Sequence, residues 1–203
     1  MEITQLAIEG AFVITPKLLG DSRGLFAEVY KSPEFAAAVG HAFNVKQINC
    51  SVSAAGTIRG IHYAEVPPSQ AKYIMCPKGA VLDIIVDIRV GSPTFGKWES
   101  VLLDDVDRRA VYLSEGLGHA FCALEDGSTV VYLCSEGYNP GREHSVNPLD
   151  ATVGIDWPTV DRAGNPMAPL LSDRDTAAPS FLEAQKLGML PDYASARDFI
   201  SSL

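Results

Sequence analysis

Thr57-Ile58-Arg59-Gly60-Ile61-His62-Tyr63-Ala64-Glu65-Val66-Pro67-Pro68-Ser69-Gln70-Ala71-Lys72-Tyr73-Ile74-Met75-Cys76 is strand-like sequence interrupted once. Pro67-Pro68 cannot donate to a sheet ladder, so it marks an edge or a turn. The run therefore reads as two strands, near Arg59–Glu65 and Ala71–Cys76, joined by a short loop. It also gathers Arg59, His62 and Lys72 into one short stretch. A single candidate base beside two cations suits an anionic substrate whose proton has to be moved.

Outward from that stretch, the chain reads as β from Val45 to about Asp156. Val81–Ile88 alternates, placing Leu82, Ile84, Val86 and Ile88 on one face and Val81, Asp83, Ile85 and Asp87 on the other. Further strands are expected at Lys97–Leu103, Ala110–Leu113, Ala120–Leu124 and Thr129–Cys134, most of them separated by Gly, Pro or Asp clusters. Short strands at this spacing without helical periods between them predict an antiparallel sandwich or barrel. Upstream, Gly20-Asp21-Ser22-Arg23-Gly24 reads as a turn between two short strands. Ser32–Gly40 reads as one helix, with Ser32 as its cap, Pro33 in its first turn and Gly40 at its end. Pro179-Ser180-Phe181-Leu182-Glu183 is a capping-box pattern opening a helix that Gly188 closes, and a second helix starts near Tyr193. The expectation is one domain over 1–203, with 179–203 as a helical appendix on the β core.

Composition bounds the function. A 203-residue chain with 47% hydrophobic and 20% charged residues can bury a core without staples. A net charge of -9 argues against a nucleic-acid partner, which needs a basic footprint. Met1–Gly10 carries no basic, apolar leader and no segment is long enough to span a bilayer, so a cytoplasmic protein without a membrane partner is expected. Cys50, Cys76, Cys122 and Cys134 form no CxxC pair and read as buried, reduced thiols.

The candidate chemistry rests on few residues, and each admits a plain structural reading beside a functional one. His62 is either a histidine satisfied by its surroundings or a base. Simple alternation puts Arg59 and His62 on opposite faces, and a bulge at Gly60 would bring them together. Lys72 is either a solvated strand lysine or a site cation. Tyr132, sharing a face with Val130 and Cys134, is either a core tyrosine or a proton donor. Asp175, in a stretch read as loop, is either a surface carboxylate or the group that orients a histidine. The four histidines, His41, His62, His119 and His144, lack the paired spacing of a metal-binding cupin, so no metal and no cofactor is expected.

Taken in order, several pieces make the chain resemble the dTDP-4-dehydrorhamnose 3,5-epimerases of the cupin superfamily. They are Gln47-Ile48-Asn49-Cys50-Ser51, Arg59-Gly60-Ile61-His62, Gln70-Ala71-Lys72, Gly91-Ser92-Pro93-Thr94-Phe95-Gly96-Lys97-Trp98, Glu115-Gly116-Leu117-Gly118-His119-Ala120-Phe121, and Tyr132 followed by Tyr138-Asn139-Pro140. The resemblance runs from Asp21 to Asp175. It implies a mainly β, cupin-type antiparallel jelly-roll barrel with short peripheral helices. It implies that His62, held by Asp175, is the general base, Tyr132 the general acid on the other sugar face, and Lys72 the cation at the enolate oxygen on C4. It also implies that Arg23, Phe26, Glu28, Gln47, Asn49, Arg59, His119, Tyr138, Glu143 and Arg174 hold a dTDP-4-keto-6-deoxysugar. In that family Arg23, Phe26 and Glu28 cross to the site of a neighbouring chain, which implies a homodimer. Ala64, Leu117-Gly118 and Val146-Asn147-Pro148 depart from the commoner pattern, and relatives of this style epimerise C3 or C5 alone. Epimerisation at both carbons, at one carbon, and non-catalytic binding of a sugar nucleotide therefore stand as the three readings.

Overall fold

The computed structural model describes residues 1–203. Thirteen strands precede three of the four helices. The first part comprises β1 (Glu2–Gln5), β2 (Ala11–Thr15), β3 (Leu18–Asp21), β4 (Gly24–Ala27) and helix α1 (Ser32–Val39). The central strands are β5 (Gln47–Ser53), β6 (Ile58–Ala64), β7 (Lys72–Lys78), β8 (Ala80–Val86) and β9 (Trp98–Asp104). They are followed by β10 (Ala110–Leu113), β11 (Gly118–Ala123), β12 (Ser128–Cys134) and β13 (Glu143–Ser145). Helices α2 (Asp173–Thr176), α3 (Phe181–Lys186) and α4 (Tyr193–Ile200) end the chain.

Two antiparallel sheets face each other, ordered β1-β2-β10-β7-β12-β5 and β13-β6-β11-β8-β9. From β5 to β13 the chain changes sheet at every connection except β8 to β9, which gives the jelly roll. Alternation then sorts the apolar residues into three cores. Ile74, Val81, Ile85, Val111, Phe121 and Val130 meet between the sheets. Ile61, Ile84, Val86 and Ile88 lie on the outer face of the five-stranded sheet and are covered by Phe181 and Ala184 of α3. Phe12, Ile14, Tyr73 and Tyr112 lie on the outer face of the six-stranded sheet and are covered by Phe35 of α1 and by Phe43. The two faces read from Val81–Ile88 thus belong to two different cores.

Several local expectations need correction. Residues after Ser145 form no further strand of either sheet, so β structure ends before Asp156. Ser32 is the first residue of α1; its N-cap is Lys31, which makes no side-chain cap. Leu171–Asp175 is not all loop, because Ser172 caps the one-turn helix α2 by accepting from the Asp175 N–H at 3.1 Å. Cys50 is exposed, because on edge strand β5 it points away from the intersheet space, whereas the other three thiols are buried. The capping box of α3 forms as read, with Ser180 and Glu183 bonding reciprocally. No helix is long and apolar enough to cross a membrane.

Candidate active site

The space between the sheets is apolar at one end and polar at the other. Strand register shows how the polar residues arrive there. On the six-stranded sheet, Lys72 is opposite Cys134, Tyr132 is opposite Asn49, and Cys134 is opposite Gln47. All five share the face of Ile74 and Val130, which belong to the intersheet core. On the five-stranded sheet, His119 and Asp83 share the face of Phe121 and Ile85, and Glu143 is opposite Ala64.

His62 reaches the same space by way of an irregularity. His62 is opposite His119 and Arg59 is opposite Phe121, so β6 spends three steps where β11 spends two. That is a β-bulge, centred on Gly60-Ile61. Gly60 has φ +127°, and a Cβ there would sit 2.5 Å from the carbonyl oxygen of His119, so only glycine fits. The bulge turns Arg59 to the same side as His62, and the Arg59 Nε donates to Ser53 Oγ at 3.2 Å. The assumption made from sequence about Gly60 therefore holds.

The site contains two histidine–carboxylate pairs side by side. His62 Nε2 lies 2.7 Å from Asp175 Oδ1, and His119 Nε2 lies 2.7 Å from Asp83 Oδ2. Asp175 is 3% exposed, held in place by the Ser172 cap at the start of α2. Its carboxylate has no hydrogen to give, so His62 Nε2 carries the proton and Nδ1 keeps its lone pair. Burial lowers the His62 pKa below its ordinary 6.5; Asp175 opposes that shift, and the positive charges of Lys72 and Arg174 add to it. The imidazole is therefore neutral at pH 7, as a base has to be.

Lys72 is buried rather than solvated, which removes the surface reading. Burial depresses its pKa, while Cys134, Glu143 and Asp83 favour the charged form. Asp83 keeps a second oxygen, Oδ1, buried without a hydrogen-bond partner. Tyr132 is half-buried, and burial raises its phenol pKa, with Cys134 and Glu143 adding to the effect and Arg59 opposing it. The phenol keeps its proton at neutral pH. His62 and Tyr132 thus lie on facing sheets across the intersheet space, with Lys72 on the strand next to Tyr132.

The mouth carries the remaining expected residues. Gln47 donates from its side chain to Asn49 at 2.8 Å and accepts from the Tyr138 N–H at 2.8 Å, which ties the exposed Tyr138 loop to the rim. Glu143 accepts from the Asn139 N–H at 3.3 Å, and Arg174 Nη2 donates to the Glu143 carbonyl at 3.4 Å. Arg23, Phe26 and Glu28 are not brought to the pocket. Arg23 and Phe26 lie on the β3–β4 hairpin, which pairs with neither sheet, and Glu28 directly follows it; Phe26 is 63% exposed. Arg23 pairs with Asp21 at 2.6 Å and Glu28 with Lys31 at 3.8 Å.

Asp83, Cys134 and Ser172 are site residues that sequence reasoning left without a role. Asp83 had a usable signal, since a carboxylate between Leu82 and Ile84 on a core strand is buried only when something pairs it. No group of three or more His, Cys, Asp or Glu side chains converges as a metal site would require.

The fold is a jelly roll that sets a carboxylate-paired histidine and a half-buried tyrosine on facing sheets. The chain belongs to the dTDP-4-dehydrorhamnose 3,5-epimerase family, whose profile matches residues 5–183. A dTDP-4-dehydrorhamnose 3,5-epimerase of Mycolicibacterium smegmatis is 56% identical over 203 residues, covering 100% of this chain and 97% of that one. A dTDP-4-dehydro-6-deoxyglucose 3-epimerase of Streptomyces bikiniensis is 53% identical over 188 residues, 93% of each chain. Among solved structures, the rmlC epimerase of Mycobacterium tuberculosis superposes with a TM-score of 0.95 at 54% identity, covering 100% of this chain and 99% of that one. A 3'-monoepimerase of Streptomyces bikiniensis in complex with dTDP-quinovose superposes with a TM-score of 0.92 at 50% identity, covering 98% of each.

Proposed function

We propose that this single-domain isomerase converts dTDP-4-dehydro-6-deoxy-D-glucose to dTDP-4-dehydro-L-rhamnose by inverting C3 and C5. The observation that carries the reading is the placement of His62 and Tyr132 on facing sheets, with Lys72 on the strand next to Tyr132. Hydrogens at C3 and C5 flank the C4 ketone, so loss of either as a proton gives an enolate. His62 Nδ1 takes the proton, and Asp175 stabilises the imidazolium that results. The Lys72 ammonium faces the oxygen on C4 as its charge develops, in a pocket that water screens poorly. Tyr132 returns a proton from the other wall, which inverts the carbon. Between inversions the His62 imidazolium releases its proton to water and the Tyr132 phenolate regains one from it, which resets the pair and brings solvent hydrogen into the sugar.

His119, held by Asp83, and Arg59, Gln47, Asn49, Glu143, Arg174 and Tyr138 line the way from the reacting carbons to the rim, where the nucleotide diphosphate binds. Guanidinium groups suit phosphate oxygens even in an acidic protein. The exposed apolar side chains Ile48 and Val52 of edge strand β5, with Leu19, Leu25 and Phe26 of the hairpin, support a homodimer. In it each hairpin delivers Arg23, Phe26 and Glu28 to the other chain's pocket. The cytoplasm, where sugar nucleotides are made, is the place for this chemistry.

Relatives named 3-epimerases are nearly as identical to this chain as relatives named 3,5-epimerases, which keeps inversion at C3 alone as the second reading. Turnover of the 4-keto sugar nucleotide in D2O, followed by proton NMR, tests both. Deuterium at C3 and C5 with inversion at both supports the first reading. Deuterium and inversion at C3 alone replaces it with the second.

A further inference from the structure

Lys72 is the first residue of β7, so nothing within its own strand fixes the backbone before it. The fixing comes from outside. The Ala71 N–H donates to Ser135 Oγ at 2.8 Å, and the Ser135 N–H donates to the Ala71 carbonyl at 3.0 Å. Ser135 directly follows Cys134, the cross-strand neighbour of Lys72. Having accepted from Ala71, the Ser135 hydroxyl donates onward to Glu115 Oε1 at 3.1 Å.

Glu115 is 2% exposed and lies in the turn between β10 and β11, four residues before His119. The next residue, Gly116, donates its N–H to Ser69 Oγ at 3.0 Å, and Ser69 Oγ donates to the Ala64 carbonyl at 3.2 Å. One buried carboxyl and its turn are therefore linked through Ser69 to the end of β6, which carries His62, and through Ser135 to the approach to β7, which carries Lys72. The same turn touches the end of β12, which carries Tyr132, and leads into β11, which carries His119. Burying a carboxyl is costly, and Oε2 has no partner at all. Burial raises the Glu115 pKa above its ordinary value, and the bond from Ser135 opposes that shift.

We propose that Glu115, acting through Ser135, is a positioning residue that sets the Lys72 amine at the height of the substrate's C4 oxygen. The inference rests on the epimerase reading of the pocket. Its physical basis is that a displacement of about 1 Å at a reacting group costs on the order of 10²-fold in rate. Glu115→Ala should lower kcat by about 10- to 100-fold. It should leave the dTDP dissociation constant within about twofold of wild type, because the nucleotide contacts are at the rim. Glu115→Gln, which keeps an acceptor oxygen for the Ser135 hydroxyl, should recover most of that loss. Ser135→Ala should match Glu115→Ala, and the double variant should be no worse than either, since both cut the same chain of bonds.

Amide hydrogen exchange at Ala71 gives a reading that does not depend on turnover. Its protection should fall in Glu115→Ala and Ser135→Ala and be kept in Glu115→Gln. Glu115→Ala with unchanged kcat, additive losses in the double variant, or unchanged Ala71 protection would each overturn the assignment. Should Glu115→Ala not fold, Ser135→Ala and Glu115→Gln decide alone. Wild-type protein that places no deuterium in the sugar would instead remove the epimerase reading, and Ala71 protection would still decide whether Glu115 fixes the Lys72 strand.

Discussion

Asp175→Asn is the sharpest test of the base. The carboxylate lies 2.7 Å from His62 Nε2 and is nearly inaccessible to solvent, so water cannot replace it. An amide of the same shape can present its NH2 to Nε2. That forces the hydrogen onto Nδ1 and removes the lone pair that faces the substrate. Two losses follow: the wrong tautomer, and an imidazolium with no counter-charge. Orienting carboxylates of this kind are worth up to about 10⁴-fold and positioned bases about 10²–10⁴-fold. Asp175→Asn should therefore lower kcat by about 10²–10⁴-fold, or about 2.7–5.4 kcal/mol of transition-state stabilisation. The pH profile separates this from mere misfolding. In the wild type, burial together with Lys72 and Arg174 depresses the His62 pKa more than Asp175 lifts it. The midpoint of the acid limb of log kcat/KM, where His62 gains its proton, should lie below the ordinary 6.5. Without Asp175 the lifting influence is gone, so the plateau drops and the acid limb moves to still lower pH. The assay is deuterium incorporation from D2O across a pH series, with circular dichroism to confirm folding. A folded Asp175→Asn enzyme within threefold of wild type, or with an unmoved acid limb, would refute the reasoning.

Three further outcomes are expected. Tyr132→Phe removes the proton donor but not the base. Exchange of the proton taken by His62 should continue in D2O while inverted product falls by about 10²–10⁴-fold, as read by NMR. If the site is shared, Arg23→Ala and His62→Ala chains should each be impaired alone. Mixed after co-refolding they should recover about a quarter of wild-type activity, because half of the dimers are mixed and each has one intact pocket; no recovery would count against the shared site. Asp87→Asn should cost about 3–5 kcal/mol at pH 7 in denaturant unfolding, because it leaves the buried Arg89 without its bidentate partner. Burial raises the Asp87 pKa, but hydrogen bonds from Arg89, Ser92 and Thr94 outweigh it and hold the carboxyl below the ordinary 3.8. This contribution is complete above the unfolded value and lost as pH falls through the depressed one, a dependence the variant should lack.

The fold was legible where one periodicity dominates. Val81–Ile88 and Thr129–Cys134 are β-branched and apolar runs bounded by turn residues, so their existence as strands follows from the sequence, although β12 slips register against β7 between Thr129 and Val131. Capping chemistry was equally legible at Ser180, where the side chain and its partner are three residues apart. What local pattern could not supply was the face of an edge strand. Cys50 sits among Asn49, Ser51 and Val52, and its exposure depends on which side of β5 meets the lumen. The inward side turns out to be the polar one, Gln47, Asn49 and Ser51, because the lumen at that end holds a site and not a core. Ordinary apolar-inward reasoning inverts the strand.

The site was legible in kind but not in assembly. Arg59, His62 and Lys72 announced an anionic substrate through their density in one stretch, yet their convergence depends on a bulge that alternation argues against. Gly60 is the only local trace of it. Asp175 lay further out of reach, since its pairing with His62 spans 113 residues and rests on a one-turn helix too short to show a period. The same logic covers the residues that sequence reasoning left without a role. Asp83 and Glu115 are both buried carboxyls, and each has one oxygen with a partner and one without. Because an unpaired buried oxygen costs free energy that packing does not return, such residues mark places where the chain has been bent to a purpose other than stability. In this protein both stand beside strands that carry the proposed acid, base and cation, with Asp83 behind His119 and Glu115 behind Lys72.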